Sequence, residues 1–279
     1  MQETTIARRG FTLIELSVVL VIIGLIVGGV LVGRDLIHAA QIRSLITDEQ
    51  RYITAVNTFR EKYGGLPGDI TNATNFWGAD THGGGCPQSG YYTPTQTTTC
   101  NGNGNGLIEN DAASGDFTAP AMFENFQAWK QLANAGLIPG SFSGVPGPGS
   151  VADNEPGLNV PATKLGGGFE WTVFSSTPGH MASNLFPGAQ YSTQYLLLGA
   201  AGTAGNSGFD LEGVLLSPAD ALSIDTKIDD GLPATGSVLG SAVSSWNQSG
   251  CLTMPASVFI YDLTFAAPGC TVLFAARSW

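Results

Sequence analysis

The hydrophobic pattern changes character along this chain. Positions 16–33 form one uncharged, largely apolar run, and 11–14 extend it across Glu15. Such a stretch is long enough to cross a bilayer. Past Arg34-Asp35 the apolar positions thin to a single stripe, Ile42, Leu45, Ile46, Tyr52, Ile53, Val56, Phe59 and Tyr63. Their spacing is that of one face of a helix. Gly64, Gly65 and Pro67 end it. Together the two parts predict one helix over 11–63, roughly 80 Å long at 1.5 Å per residue. A bilayer covers only the first half, so the stripe on the second half needs protein packed on it.

Beyond the helix the pattern is broken by glycine and proline. Residues 64–78 read as a loop with an aromatic anchor, Phe76-Trp77, and 79–117 are rich in Gly, Thr and Asn. A second helix is predicted over 120–135, with Thr118 as cap, Pro120 in the first turn, and Gly136 and Pro139 beyond its end. Its apolar face is Met122, Phe123, Phe126, Trp129, Leu132 and Ala133. The Gly/Pro-rich stretch 139–168 reads as a long surface loop. Strands are predicted over 169–175, 194–199, 213–216, 257–263 and 270–275. A short helix begins at Ser217-Pro218-Ala219-Asp220 and runs to about 228.

Charge at the N-terminus gives the first helix a direction. Arg8 and Arg9 precede the apolar run, which places the N-terminus in the cytoplasm and 35–279 outside the inner membrane. A secretory signal would have a small-residue cleavage site after its apolar core. Here the candidate cut, after Gly10, comes before it, so cleavage would leave the hydrophobic helix on the mature chain. Glu15 is the anomaly. An acid in a membrane helix costs roughly 2.5–3.5 kcal/mol at its centre and less near the interface. Cutting after Gly10 creates an amine on Phe11, one helical turn from Glu15 and on the same face.

Arg8-Arg9-Gly10-Phe11-Thr12-Leu13-Ile14-Glu15, followed by the apolar run, resembles the class III leader of type IV pilins and pseudopilins. The resemblance is close over about the first 33 residues and loose beyond; YGGLPGD, AWKQLANAGLIPGS and IDTKIDDGLPATG are similar to a subgroup of long bacterial pilin-like proteins. It implies an α+β fold, a long N-terminal helix packed on an antiparallel β-sheet, here with extra short helices and long loops. It also implies a leader over 1–10, a long helix over 11–63 whose 11–33 part is transmembrane and polymerising, and an ectodomain over 64–279. Prepilin peptidase/methyltransferase would cut between Gly10 and Phe11 and methylate Phe11. Glu15 would set register against a neighbouring subunit's amine. An inner-membrane platform and an ATPase would then draw the subunit into a pilus or a periplasmic pseudopilus. Gly24/Gly28 and Gly29/Gly33 form two G-x-x-x-G pairs suited to close helix approach and to local melting. Val32 stands where many pilins have proline.

Composition narrows the rest. The formal charge is −11, and 12% of the 279 residues are charged. Arg8 and Arg9 against Glu3 make the leader +1 and the mature chain −12. Such a surface repels phosphate, so no nucleic-acid partner is expected. Four cysteines in an exported segment suit two disulfides with three possible connectivities. Cys86–Cys100 and Cys251–Cys270 are favoured because each encloses one short segment, and the second resembles the C-terminal disulfide of many pilins. Asn101, Asn103, Asn105 and Glu109, with Asp111 nearby, follow the cadence of a calcium loop, with Gly106 at its sixth position. Its twelfth position is Ala112, so the loop is short of charge and reads more simply as an Asn-Gly turn. Trp77, Tyr91, Tyr92, Trp171 and Trp246 could stack on sugars but read more simply as anchors. Neither H-E-x-x-H nor G-x-S-x-G occurs, and no catalytic residue is assigned. The expected function is a filament subunit, with a secretion pseudopilin or a tip pilin acting as a binding module as alternatives.

Overall fold

A computed structural model describes residues 12–80, 97–109, 124–147, 154–173, 186–190, 193–200, 213–241 and 250–276. The chain divides into two compact units, Met1–Arg43 and Ser44–Trp279. Helix α1 is Leu13–Tyr63, ending at the Gly64-Gly65 stop; Gly64 takes φ +83° and donates its N–H to the Arg60 carbonyl. Over residues 16–33 the helix is apolar on all sides and bare. Leu13 is 90% exposed and Leu25 72%. Among the described residues it is the one helix long and apolar enough to cross a membrane.

In the second unit the stripe does what its spacing requires. Leu45, Tyr52, Ala55, Val56 and Phe59 are buried. Tyr52 meets Trp129 edge-on at 4.9 Å and Phe169 at 5.2 Å, and Trp129 stacks on Trp171 at 5.5 Å. Large rings of this kind bury much area per side chain and dominate the core. Here α2 is Thr74–Trp77, α3 is Glu124–Asn134 and β1 is Gly168–Val173. The others are β2 Gln194–Gly199, α4 Pro218–Ile228, β3 Val238–Ser241, β4 Leu252–Thr253, β5 Ile260–Tyr261 and β6 Thr271–Ala275.

The sheet runs β1-β2-β6-β3, every pair antiparallel, with Leu198 opposite Phe169 and Val272. Leu196, Leu197 and Leu198 are all fully buried, so neighbouring positions on both faces of β2 are covered. The arrangement is α+β and pilin-like: a long N-terminal helix, an antiparallel sheet and short helices. The smaller β4–β5 hairpin is tied to the start of β6 by the Cys251–Cys270 disulfide. Cys100 is also disulfide-bonded, and its expected partner, Cys86, lies outside the described residues.

Several expectations need correction. Residues 213–216 form no strand; only isolated bridges, Ala200–Gly213 and Leu216–Cys270, occur there. The fourth sheet strand is instead β3, whose VLGS sequence carries little strand signal before it meets β6. The strand expected over 257–263 shrinks to β5 because a 3₁₀ turn, Pro255–Ser257, precedes it. The described residues of the stretch 139–168 do not form a solvated loop: Phe142, Val145, Asn159 and Val160 are buried. Its start packs against α3, where Gln127 donates to the Gly144 carbonyl at 2.7 Å and Lys130 to the Ser143 carbonyl at 3.1 Å. Residues 74–77 of the expected loop form the short helix α2. In α3 the proposed cap Thr118 and the apolar Met122 and Phe123 lie outside the described residues. Helix α4 starts as expected, with Ser217 Oγ accepting the Asp220 N–H at 3.2 Å.

Candidate functional site

The helix start carries the first candidate site. The Thr12 N–H and Oγ–H both donate to Glu15 Oε2 at 2.8 Å, and the Glu15 N–H donates to Thr12 Oγ at 3.3 Å. This is a reciprocal capping box, in which threonine and a glutamate three residues later satisfy each other's free amides. The T-x-x-E spacing stands in the sequence, but the reading of Glu15 as a register residue passed over it. Ser17 Oγ–H bonds back to the Ile14 carbonyl at 2.9 Å, so this hydroxyl is also satisfied within the helix. Gly10 and Phe11 lie outside the described residues.

The Asn-Gly loop is the second candidate. Asn103 and Asn105 turn their side-chain amides to Glu109 Oε2, at 3.4 and 2.5 Å. Asn101 is not with them: its Oδ1 accepts the Thr74 N–H at 2.9 Å, at the head of α2. Asp111 lies outside the described residues. Two buried acids that sequence reasoning missed close the loop. Asp69 Oδ1 accepts the Asn105 N–H at 2.9 Å and Oδ2 the Gly106 N–H at 3.0 Å. Glu124, 1% exposed at the head of α3, accepts the Asn103 N–H at 2.8 Å and the Glu109 N–H at 3.3 Å. Nothing in the spacing of residues 69, 103 and 124 announces that they meet. One glycine of the cadence has a packing reason: a Cβ on Gly102 would stand 2.3 Å from Asp69 Cα.

Electrostatically this is an acidic, dehydrated corner. Burial pushes the Glu124 carboxyl up to about 9, and the nearby Asp69 and Glu109 carboxylates add to the rise against the pull of the two amides. Asp69 is raised by burial in the same way, opposed by the Gly106, Gly104 and Asn105 amides. Oxygen donors of this kind suit a hard cation such as calcium. The loop amides already occupy both oxygens of Asp69 and of Glu124, which is how an Asn-Gly turn is held shut.

A third acidic group lies at the end of α4, where Asp225, Asp229 and Asp230 bring carboxylate oxygens within 4.8 Å of one another. Each has a structural task. Asp225 accepts the Tyr261 O–H at 2.8 Å and the Gly231 N–H at 3.0 Å, Asp229 takes the Ser237 N–H, and Asp230 takes the Thr235 O–H at 2.6 Å. Burial raises Asp225 to about 6. Of the aromatics considered for sugar stacking, Trp171 is fully buried in the core, Trp77 is half-buried, and Tyr91, Tyr92 and Trp246 lie outside the described residues.

The pattern described as the prokaryotic N-terminal methylation motif matches residues 6–31. No curated protein and no solved structure matches the chain.

Proposed function

Taking as premise that residues 6–31 carry the methylation motif of type IV pilins and pseudopilins, we propose that this chain is a filament subunit cut after Gly10 and methylated on Phe11. The motif carries the reading, and the bare apolar helix supports it: side chains such as Leu25, 72% exposed, and Leu31, 58%, need lipid or neighbouring helices around them. The helix anchors the subunit in the inner membrane with its N-terminus inside and 64–279 in the periplasm. Prepilin peptidase removes 1–10, and an inner-membrane platform and ATPase pass the subunit into a bundle of like helices. Glu15 meets a neighbour's Phe11 amine and fixes register. The work of the protein is assembly, not catalysis.

Calcium remains a separate proposal with a reduced ligand set. Of the expected Asn101, Asn103, Asn105, Glu109 and Asp111, the three that would hold it are Asn103, Asn105 and Glu109.

Peptide mass spectrometry of sheared surface filaments, against the inner-membrane fraction, tests the filament reading. A dominant mature chain beginning at methylated Phe11 makes this a major pilin, and a trace one makes it a minor pilin. The processed chain confined to the envelope makes it a pseudopilin. An N-terminus at Met1 in every fraction overturns the proposal.

A further inference from the structure

Where α1 ends, the second unit has a cleft that the assembly reading leaves unused. Its volume is about 520 Å³, within the range of small-molecule sites. Its walls come from three segments: Arg60 and Tyr63 on the last turn of α1, Gly64 together with Thr71 and Asn72 beyond it, and Gly106 of the Asn-Gly loop. The facing rims are bonded to each other, since Asp69 grips the Asn105 and Gly106 amides and the Gly102 N–H donates to the Ile70 carbonyl at 2.9 Å. Tyr63 is fixed as well, with Phe59, Phe76 and Trp77 at 4.5, 4.9 and 5.2 Å. The cleft is therefore formed in advance and does not need a ligand to shape it. A Cβ at Gly64 or Gly106 would meet nothing within 4 Å, so no side chain crowds the cleft at those two positions.

Charge decides the class of ligand. Arg60 is the cation of the wall, but it sits in the last helical turn, where it offsets the negative end of the helix dipole. Asp69, on the same wall, spends its carboxylate on the Asn105 and Gly106 amides. Neither sign dominates. What remains is the Thr71 hydroxyl and the Asn72 side-chain amide, able both to donate and to accept, beside one fixed aromatic ring. A neutral, hydroxyl-rich ring with an apolar C–H edge matches that lining. We propose that the cleft binds a neutral pyranose, as in a surface glycan, with Asn72 and Thr71 bonding its hydroxyls and Tyr63 meeting its C–H edge. The proposal gives substance to the binding-module alternative and does not depend on whether the chain is a major or a minor subunit.

Saturation-transfer NMR on the full-length chain in detergent tests it, using the methyl glycosides of glucose, galactose and mannose at millimolar concentration, with acyclic mannitol and glucuronate as controls. Saturation should reach the ring protons of at least one glycoside and fall at least fivefold in Asn72→Ala and in Thr71→Trp, which fills the cleft. Both positions are exposed, so near-ultraviolet circular dichroism should be unchanged in the variants. No transfer to any glycoside, equal transfer to mannitol, stronger transfer to glucuronate, or transfer undiminished in both variants overturns it. Filament incorporation of Thr71→Trp should match wild type, which separates failure here from failure of the assembly reading.

Discussion

Glu124 makes the stability of this protein depend on pH in a calculable direction. Its carboxyl is 1% exposed and is pushed up to about 9 from the ordinary 4.5. Between those values the folded chain keeps a proton that the unfolded chain has lost. The contribution of Glu124 is therefore intact below about pH 4.5 and is lost as pH rises toward 9. Stability from this group falls by about 1.4 kcal/mol per pH unit across the window, which amounts to about 3 kcal/mol at pH 7. Glu124→Gln removes the titration while keeping the shape and one acceptor for the Asn103 amide. The assay is denaturant unfolding of the full-length chain in detergent from pH 5 to 8, with chelator, followed by tryptophan fluorescence, since Trp129 and Trp171 are fully buried. Asp225, Glu49 and Lys130, shifted to about 6, 7 and 8, are common to both proteins and cancel in the difference. The wild-type-minus-variant difference should slope downward with pH. A difference that stays flat across the range refutes the argument. Calcium supplies an independent arm: a cation held beside Glu124 would ionise it and remove the slope from wild type alone.

Other outcomes follow from single side chains. Gly10→Val should block processing, so that peptide mapping finds no chain starting at Phe11. Glu15→Ala should still be cut and membrane-bound but missing from sheared filaments; normal incorporation sinks the register role. Ser217→Ala removes the acceptor for the Asp220 amide and should cost about 1 kcal/mol in the same unfolding assay.

Much of the scaffold was legible because its signals are local. The α1 stripe, the Gly64-Gly65 stop, the Ser217 cap and the QYLLLG run each carry their meaning within a few residues. Strand β3 was not legible: its four residues become a strand through pairing with β6, some thirty positions on. The stretch 139–168 misled because glycine and proline signal turns without saying whether the turns are buried. The Asn-Gly loop shows the same limit. Its cadence marked Asn103, Asn105 and Glu109 correctly as neighbours, yet Asn101 was drawn off to cap α2, and the acids that close the loop come from far along the chain. Cysteine spacing succeeded for Cys251 and Cys270 because pairing near neighbours along the chain closes the shortest loop at the least entropic cost.

The Thr12–Glu15 capping box suggests why an acid is tolerated in a segment otherwise built for lipid. A carboxylate at the centre of a membrane helix costs roughly 2.5–3.5 kcal/mol, and near the interface less. A reciprocal N-cap returns about 1 kcal/mol. The lone subunit is then left with a penalty small enough to insert and large enough to favour a partner. A neighbour's Phe11 amine would meet that need by exchanging the hydroxyl and amide donors of Thr12 for a full charge. On this argument the two residues are not equivalent. Thr12→Val removes the hydroxyl but leaves the acid, so Glu15 enters the bundle less well held but still able to pair. Incorporation into filaments should fall part of the way, and Thr12→Ser should restore it. Glu15→Ala removes the group that pairs and should abolish incorporation even with Thr12 intact. Equal defects in Thr12→Val and Glu15→Ala would mean that the box itself, and not the acid's exchange of partners, is what assembly requires.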